Sequence, residues 1–395
     1  MALVVRRNQA VLSTAEKRAY ADAVWALKRS DPGGYDSFVR AHYDLFDSAV
    51  GHSGPAFLPW HREFLLRFEQ GLQRFAPGMA VPYWDWTVDR DPWSSIWDAD
   101  FLGGDGGDDA DRTVPDGRFA ADTGWKCLPL GIDRTRLSRE FGLGEEALPT
   151  PAAVRDCLTR TPYDTAPWDG SSAGFRNAFE DIHNRVHNWV GGHMGPASSP
   201  NDPVFFLHHC NTDRLWSQWQ AGHPGDGPPA TGARPGHNLN DPMKPWGTTV
   251  RSVLDPGALG YVYDTQGPEP RGDQMLPGDT LLGGHNVVSQ GGRFLLGYQT
   301  DGNLVLAPTD DTAHPVWNSR NRNRNDVGHC AMEADGHLRV RGRGEPGKET
   351  VYWASDNPDG TPGYRLTVWD QGFMTIHPPD SPGSPVWDSR KQPGP

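Results

Sequence analysis

The chain has 15 histidines, and their uneven placement suggests metal chemistry. His183 and His187 lie four apart in a stretch of helical periodicity, so both imidazoles project from one face and can share a divalent ion. His208 and His209 follow in the apolar phrase Asp202-Pro203-Val204-Phe205-Phe206-Leu207-His208-His209. Neighbours on a helix diverge by about 100°, so only one of this pair should reach the ion shared by His183 and His187. A second group is His42, His52 and His61, the last in the aromatic phrase Phe57-Leu58-Pro59-Trp60-His61. One HxxxH pair is more often a surface feature or a satisfied core pair. Two all-imidazole trios point instead to a binuclear centre, suit copper better than magnesium or calcium, and leave zinc open. Without a carboxylate ligand, such a pair can change oxidation state with no large built-in negative charge.

Five helices are expected to position these residues. Ser13-Thr14-Ala15-Glu16 has the form of a capping box, opening a first helix that Asp31-Pro32-Gly33-Gly34 ends. Tyr35 to Val50 reads as a second helix, with His42. Pro59 and Trp60 open a third that runs to Phe75, which leaves His52 in the intervening loop. Residues 77–172 are turn-rich. A fourth helix spans about Phe175 to Val190 and is closed by Gly191-Gly192. A fifth runs from Asp202-Pro203 to about Gln220. Four of them can form an antiparallel bundle with long excursions between pairs.

The C-terminal part is a different kind of sequence. The stretch 239–264 regains order signals after a Pro/Gly-rich run, and residues 266–274 read as a linker. Beyond it, Asp301-Gly302, Asp335-Gly336 and Asp370-Gln371 recur, as do Trp317-Asn318-Ser319, Trp353-Ala354-Ser355 and Trp387-Asp388-Ser389. The period is about 35 residues, and each unit alternates apolar and polar positions. Three units about a pseudo-threefold axis, with the three Trp residues packed inside, is the simplest all-β reading.

Bulk properties narrow the function. At 395 residues two domains are the natural expectation. A formal net charge of -13 argues against nucleic acid and anionic membrane surfaces. No apolar run of about 18 residues is present to span a membrane. The N-terminus lacks the apolar core of a secretory signal, so a cytoplasmic location is the default, with export alongside a partner left open. Cys127, Cys157, Cys210 and Cys330 form no CxxC pair; a Cys127–Cys157 bridge is conceivable, but free buried thiols are the expectation.

With these residues in place, the sequence resembles a known family. His52-Ser53-Gly54-Pro55-Ala56-Phe57-Leu58-Pro59-Trp60-His61 is similar to the first copper signature of tyrosinases. His183-Asn184-Arg185-Val186-His187 and Asn201 to Trp216 are similar to the second, and Pro82-Tyr83-Trp84-Asp85-Trp86 and Gly260-Tyr261-Val262-Tyr263-Asp264 match further family phrases. The likeness covers residues 1–265. It implies a mainly α domain, an antiparallel four-helix bundle around two copper ions, with O2 as cosubstrate. His42, His52 and His61 would hold one copper; His183, His187 and His209 the other, leaving His208 a neighbour. The implied reaction oxidises o-diphenols to o-quinones, with hydroxylation of monophenols or oxidation of o-aminophenols as further activities. In related enzymes a Glu and an Asn hold a water that deprotonates a monophenol. Asn184 fits the Asn, and Glu180 is the candidate Glu, with a charge near the helix N-terminus as its competing role. Asp213 is expected to orient a ligand, and Phe205 to wall the site. Some members link a cysteine two residues before the loop histidine to that ring; here Val50 occupies the position, so that cross-link is excluded. A separate copper-loading partner protein also belongs to what the resemblance implies.

Residues 275–395 resemble the bulb-type mannose-binding lectins, a β-prism fold whose motif is Q-x-D-x-N-x-V-x-Y. Gln299, Asp301, Asn303 and Val305 keep that motif in the first repeat, and Ala307 replaces its tyrosine. The second repeat reads Glu333, Asp335, His337, Arg339, Arg341. A mannose-type glycan at the first repeat is therefore one expectation, and a retained scaffold for solubility, dimerisation or covering the copper cleft the other. Three other functions compete for the whole chain: a reversible O2 carrier (hemocyanins share the copper motifs), a sugar-binding protein with a vestigial oxidase domain, and a zinc hydrolase.

Overall fold

A computed structural model describes every residue except 1–3, 31–33, 47–49, 143–146, 265–272, 282, 284, 300, 313, 323–325, 343–348, 358–361, 380 and 392–395. The chain divides into two compact units, Met1–Asp264 and Thr265–Pro395. Most of the expected linker, and the expected stop of the first helix at 31–33, lie outside the described residues.

The first unit is helical: α1 Thr14–Arg29, α2 Tyr35–Phe46, α3 Phe57–Gln73, α4 Pro151–Leu158, α5 Phe175–Val190 and α6 Val204–Gly222. The capping box before α1 is formed reciprocally by Ser13 and Glu16, and α5 has the expected bounds. Helix α2 ends at Phe46 instead of Val50, and residues 47–49 lie outside the described set. Helix α3 starts at Phe57, two residues ahead of expectation, because Pro59 in a first turn gives up only an N–H that has no intrahelical partner. Helix α4 was not expected within the turn-rich stretch. Its signal is local: Thr150 accepts from Ala153 N–H ahead of a first-turn proline. Also unexpected is the strand Val4–Arg6, which pairs in parallel with Tyr261–Tyr263; three residues are too few to show a period.

Aromatic packing sets the helices that matter. Phe68 of α3 stacks on Phe206 of α6 (ring centroids 3.4 Å apart), and Tyr35 of α2 meets both rings edge-on at 5.8 and 5.7 Å. The Pro82–Trp86 phrase is bound to α6, with Trp84 N–H donating to Leu207 O (3.1 Å) and Arg214 Nη2 to Asp85 (2.9 Å). At the start of α6, Arg139 holds Asp202 through two bonds of 2.7 and 2.9 Å, both side chains fully buried. The histidine-bearing turn of α6 is thus anchored on both sides.

The second unit has three four-stranded antiparallel sheets. The first orders Trp317–Asn318, Leu304–Pro308, Phe294–Tyr298 and Asn286–Val288. The second orders Val351–Ala354, Leu338–Gly342, Val327–Met332 and Thr280–Leu281, and the third Trp387–Asp388, Phe373–His377, Arg365–Trp369 and Gln274–Met275. The repeat supplies the inner strands of each sheet. The two earliest strands of the unit complete sheets built from later repeats, so chain start and chain end are interlocked. Trp317, Trp353 and Trp387 meet edge-on with centroids 5.2, 5.8 and 6.2 Å apart, the internal triad expected from the repeat. All four cysteines are free and buried. Burial raises the thiols of Cys127 and Cys157 to about 12, so neither is reactive at neutral pH.

Candidate metal centre

The structure gathers the histidines into two groups, His42, His52 and His61, and His183, His187, His208 and His209, with the ligand atoms of each group within 4.8 Å of one another. Helix α2 supplies His42, the following loop His52, α3 His61, α5 His183 and His187, and α6 the last pair. The groups face each other: His61 stacks on His209 with centroids 4.3 Å apart, and Phe57 meets His61 and His183 edge-on at 5.1 and 4.9 Å.

Backbone carbonyls set the tautomers. A carbonyl only accepts, so each ring nitrogen facing one carries the proton. His42 Nδ1 donates to Ala197 O (2.6 Å), His61 Nδ1 to Phe57 O (2.9 Å) and His187 Nδ1 to Met194 O (2.7 Å). His183 Nδ1 donates to Asn184 Oδ1 (3.1 Å). Every Nε2 of these rings is left with its lone pair. In the second group the Nε2 atoms of His183, His187 and His209 lie 3.0, 3.1 and 3.4 Å apart. The lone pairs of His183 and His187 converge at that range and repel unless a cation or a proton lies between them, and imidazoles on one tetrahedral ion with about 2.0–2.1 Å bonds stand roughly 3.3 Å apart. In the first group Nε2 of His42 and of His61 is buried without a partner. The residues therefore fit two metal ions.

Burial holds all seven rings below the ordinary histidine value, His42 down to about 3 and His187 to about 4, so they are neutral imidazoles at neutral pH. The sign of the pH dependence follows. An unfolded chain takes up these protons at about 6.5, and the folded chain only well below. The metal-free protein should keep its stability above about pH 6.5 and lose it as pH falls toward 4 and then 3. Thermal melts of the metal-free protein between pH 7.5 and 4.5 check this, and an unchanged Tm contradicts it.

Several expected roles change. Asp213 has no histidine partner among the described residues: its Oδ2 accepts from Arg6 Nη1 (3.2 Å), Tyr261 OH (2.6 Å) and Tyr263 OH (2.5 Å), and its Oδ1 from Arg62 Nε (2.5 Å). Nδ1 of His209 has no partner among the described residues. Glu180 is not a free base either. Its Oε1 accepts from Ser53 N–H (2.7 Å) and its Oε2 from Arg176 Nη1 (2.9 Å). Burial raises its pKa, against those bonds. Asn184 is exposed and its oxygen faces His183. Phe205 is placed as expected, stacked on His209 (4.0 Å) and edge-on to His42 (5.1 Å). His208, expected only as a neighbour, lies within the second group, stacked on His183 at 4.7 Å, with neither ring nitrogen partnered. The Nε2 atoms that converge are those of His183, His187 and His209, and His208 packs against them. Cys210 points away and donates to Val81 O (3.2 Å).

In the second unit, Gln299 is exposed and Asp301 half-buried, accepting from Asn303 N–H (3.0 Å). Asn303 is fully buried, with Oδ1 accepting from Ser319 Oγ (3.2 Å) and Asn321 N–H (3.1 Å), and Val305 is buried beside it. In the second repeat Arg339 pairs with Glu333 and Asp335, and Arg341 with Glu333.

Two facing all-histidine groups, one built between α2 and α3 and the other between α5 and α6, define a binuclear copper protein. A family model described as the common central domain of tyrosinase matches residues 32–222. The tyrosinase of Streptomyces glaucescens is 46% identical over 276 residues, covering 67% of this chain and 100% of that one. The chain belongs to the tyrosinase family, and it is a dicopper phenol oxidase. Among solved structures, a polyphenol oxidase of Thermothelomyces thermophila shares the fold of the first unit (TM-score 0.53, 23% identity, 66% of this chain and 88% of that one). Over the second unit, a monocot mannose-binding lectin from Gastrodia elata matches 30% of this chain and 96% of its own, at 24% identity and TM-score 0.24.

Proposed function

We propose that the protein oxidises o-diphenols, and o-aminophenols of the same shape, to the corresponding quinone-type products, and hydroxylates monophenols poorly. The observation that carries this is the engagement of Glu180: both its oxygens are bonded, to Ser53 N–H and to Arg176, so it is not free to hold a deprotonating water beside Asn184, and the exposed Asp181 is the carboxylate left in reserve. A catechol needs that base less, since its hydroxyls are more acidic. His42, His52 and His61 would hold one copper and His183, His187 and His209 the other, five of them on α2, α3, α5 and α6 acting as an antiparallel bundle and His52 on the loop between α2 and α3. When bound, the copper pair supplies two-electron exchange with O2. The chain fixes four of the six imidazoles with their lone pairs inward, walls the site with Phe205 and Phe57, and keeps carboxylates out of the ligand set.

A substrate panel on the copper-loaded full chain tests this reading. Catechol or o-aminophenol turnover should exceed monophenol turnover by about 100-fold, the scale of one general base; equal rates would sink it. No turnover with reversible O2 uptake would indicate a carrier instead.

For the second unit we infer a β-prism scaffold without a working mannose site. Asn303 is fully buried with its Oδ1 held by Ser319 and Asn321, Ala307 stands where the motif has a tyrosine, and the second repeat's positions are filled by ion pairs. The full chain should pass a mannan column unretarded, and retention released by free mannose would overturn this. Cytoplasmic residence and a copper-loading partner remain part of the proposal.

A further inference from the structure

His52 differs from the other cluster histidines in lying on a loop between α2 and α3, where helix geometry does not aim it. A ligand on a loop must have its backbone pinned from outside. Ser53, next to it, has φ 51, a left-handed conformation that surrounding bonds must maintain. Glu180 Oε1 accepts its N–H at 2.7 Å. From the opposite side Arg234 Nη2 donates to His52 O (2.9 Å) and Ser53 O (3.1 Å). Arg234 Nε rests 3.0 Å from His237 Nε2. The loop approaches so closely that a Cβ at Gly54 would lie 2.8 Å from His237 Nδ1 and 3.0 Å from Arg234 Nη2.

Glu180 is itself fixed. Arg176 holds its other oxygen, and Arg176 is held by Asp164 through bonds of 2.9 and 3.1 Å and by Asp169 O at 2.7 Å. Glu180 stands on α5, one turn before His183. The helix that carries two members of the second group therefore grips the loop that carries one member of the first.

We propose that Glu180 and Arg234 are positioning residues that clamp the His52 loop between them, Glu180 to α5 and Arg234 to the segment of His237, so that the first metal site is completed with the help of the helix that builds the second. The inference rests on the reading of His52 as a copper ligand. It gives Glu180 a task in assembling the centre and none in proton transfer.

The test uses the full chain and its Glu180→Ala, Glu180→Gln and Arg234→Ala variants, titrated with copper. Copper per chain, the EPR signal of the resting Cu(II) form, and amide exchange at Ser53 in the metal-free protein are read. The parent should bind two coppers and show little EPR signal, because neighbouring Cu(II) ions couple. Glu180→Ala and Arg234→Ala should weaken one of the two coppers by about 10- to 100-fold, as loss of a supporting contact does. They should also reveal an uncoupled Cu(II) signal and speed exchange at Ser53. Glu180→Gln keeps an acceptor for Ser53 and should recover most of the affinity. Arg234 is exposed and stands outside the helices, and its removal takes one partner from the buried His237, so that variant, checked for an unchanged fold, decides the matter if Glu180→Ala fails to fold. Parent-like affinity and a silent pair in Arg234→Ala overturn the clamp. A parent that binds fewer than two coppers overturns the copper assignment itself, and the clamp with it.

Discussion

Replacing His61 by alanine is expected to lower the copper content from two per chain to one and to leave less than about 1% of catechol turnover. His61 Nδ1 is fixed by Phe57 O and its Nε2 is buried with no other partner, so the lone pair has no use except to a metal. The ring also stacks on His209, which places it where the two groups meet. Removing a contact that merely supports a ligand costs about 10- to 100-fold in metal affinity or activity; removing the ligand should cost more, and a two-electron oxidation needs both ions. Metal analysis with steady-state turnover checks the prediction, and added imidazole should restore part of the copper. Alanine at His314, which is 83% exposed, belongs to the second unit and pairs with Asp311, should leave both quantities unchanged. If His61→Ala keeps two coppers and full turnover, the assignment of the first group is wrong.

Asp213→Ala is expected to have the largest effect on stability. The carboxylate is the shared acceptor of two fully buried guanidiniums, Arg6 and Arg62, and of two buried phenols. Those cations and the neighbouring hydroxyls hold it below the usual carboxylate range despite the opposing cost of burial. Arg6 retains Glu69 and Arg62 retains carbonyls, yet both would face a cavity where a charge had been. Breaking a buried pair by removing one partner costs about 3–5 kcal/mol, which for a unit of this size is roughly 10 °C in Tm. Asp213→Asn keeps acceptors for the phenols and should lose less. A fall of under about 1 kcal/mol for the alanine variant, by denaturant titration, would show the network to be redundant. Because Arg6 lies on the strand paired with Tyr261–Tyr263, the variant should also loosen both chain ends of the unit.

Much of the centre was legible in the residues. The i, i+4 spacing of His183 and His187 requires only that their stretch be helical, and its apolar period said so. His61 and His209 each follow an apolar aromatic phrase that must be buried, and a buried imidazole needs a partner. Roles assigned through hydrogen bonds were less legible. Asp213 follows His209 by one turn, which made it a natural acceptor, but Arg6 and Tyr261, brought in from the two ends of the unit, reached it first. Glu180 precedes His183 by three residues, a position compatible with either a water-holding carboxylate or a charge near the helix N-terminus; its partners Ser53 and Arg176 are identified only once the loop is placed.

The same division holds for the architecture. A period of about 35 residues determined the threefold β-unit and its internal tryptophans, since alternation and recurrence are properties of the chain alone. It could not say that the sheets of the second and third repeats are closed by strands from the unit's beginning, because two-residue strands carry no period and are chosen by whichever edge is open. The ligand types, their helices and the family were thus determined by the sequence itself. Which acceptor each buried cation and amide would find was decided only in the tertiary structure. Such groups must be satisfied, the chain offers many candidates, and proximity in the folded state selects among them.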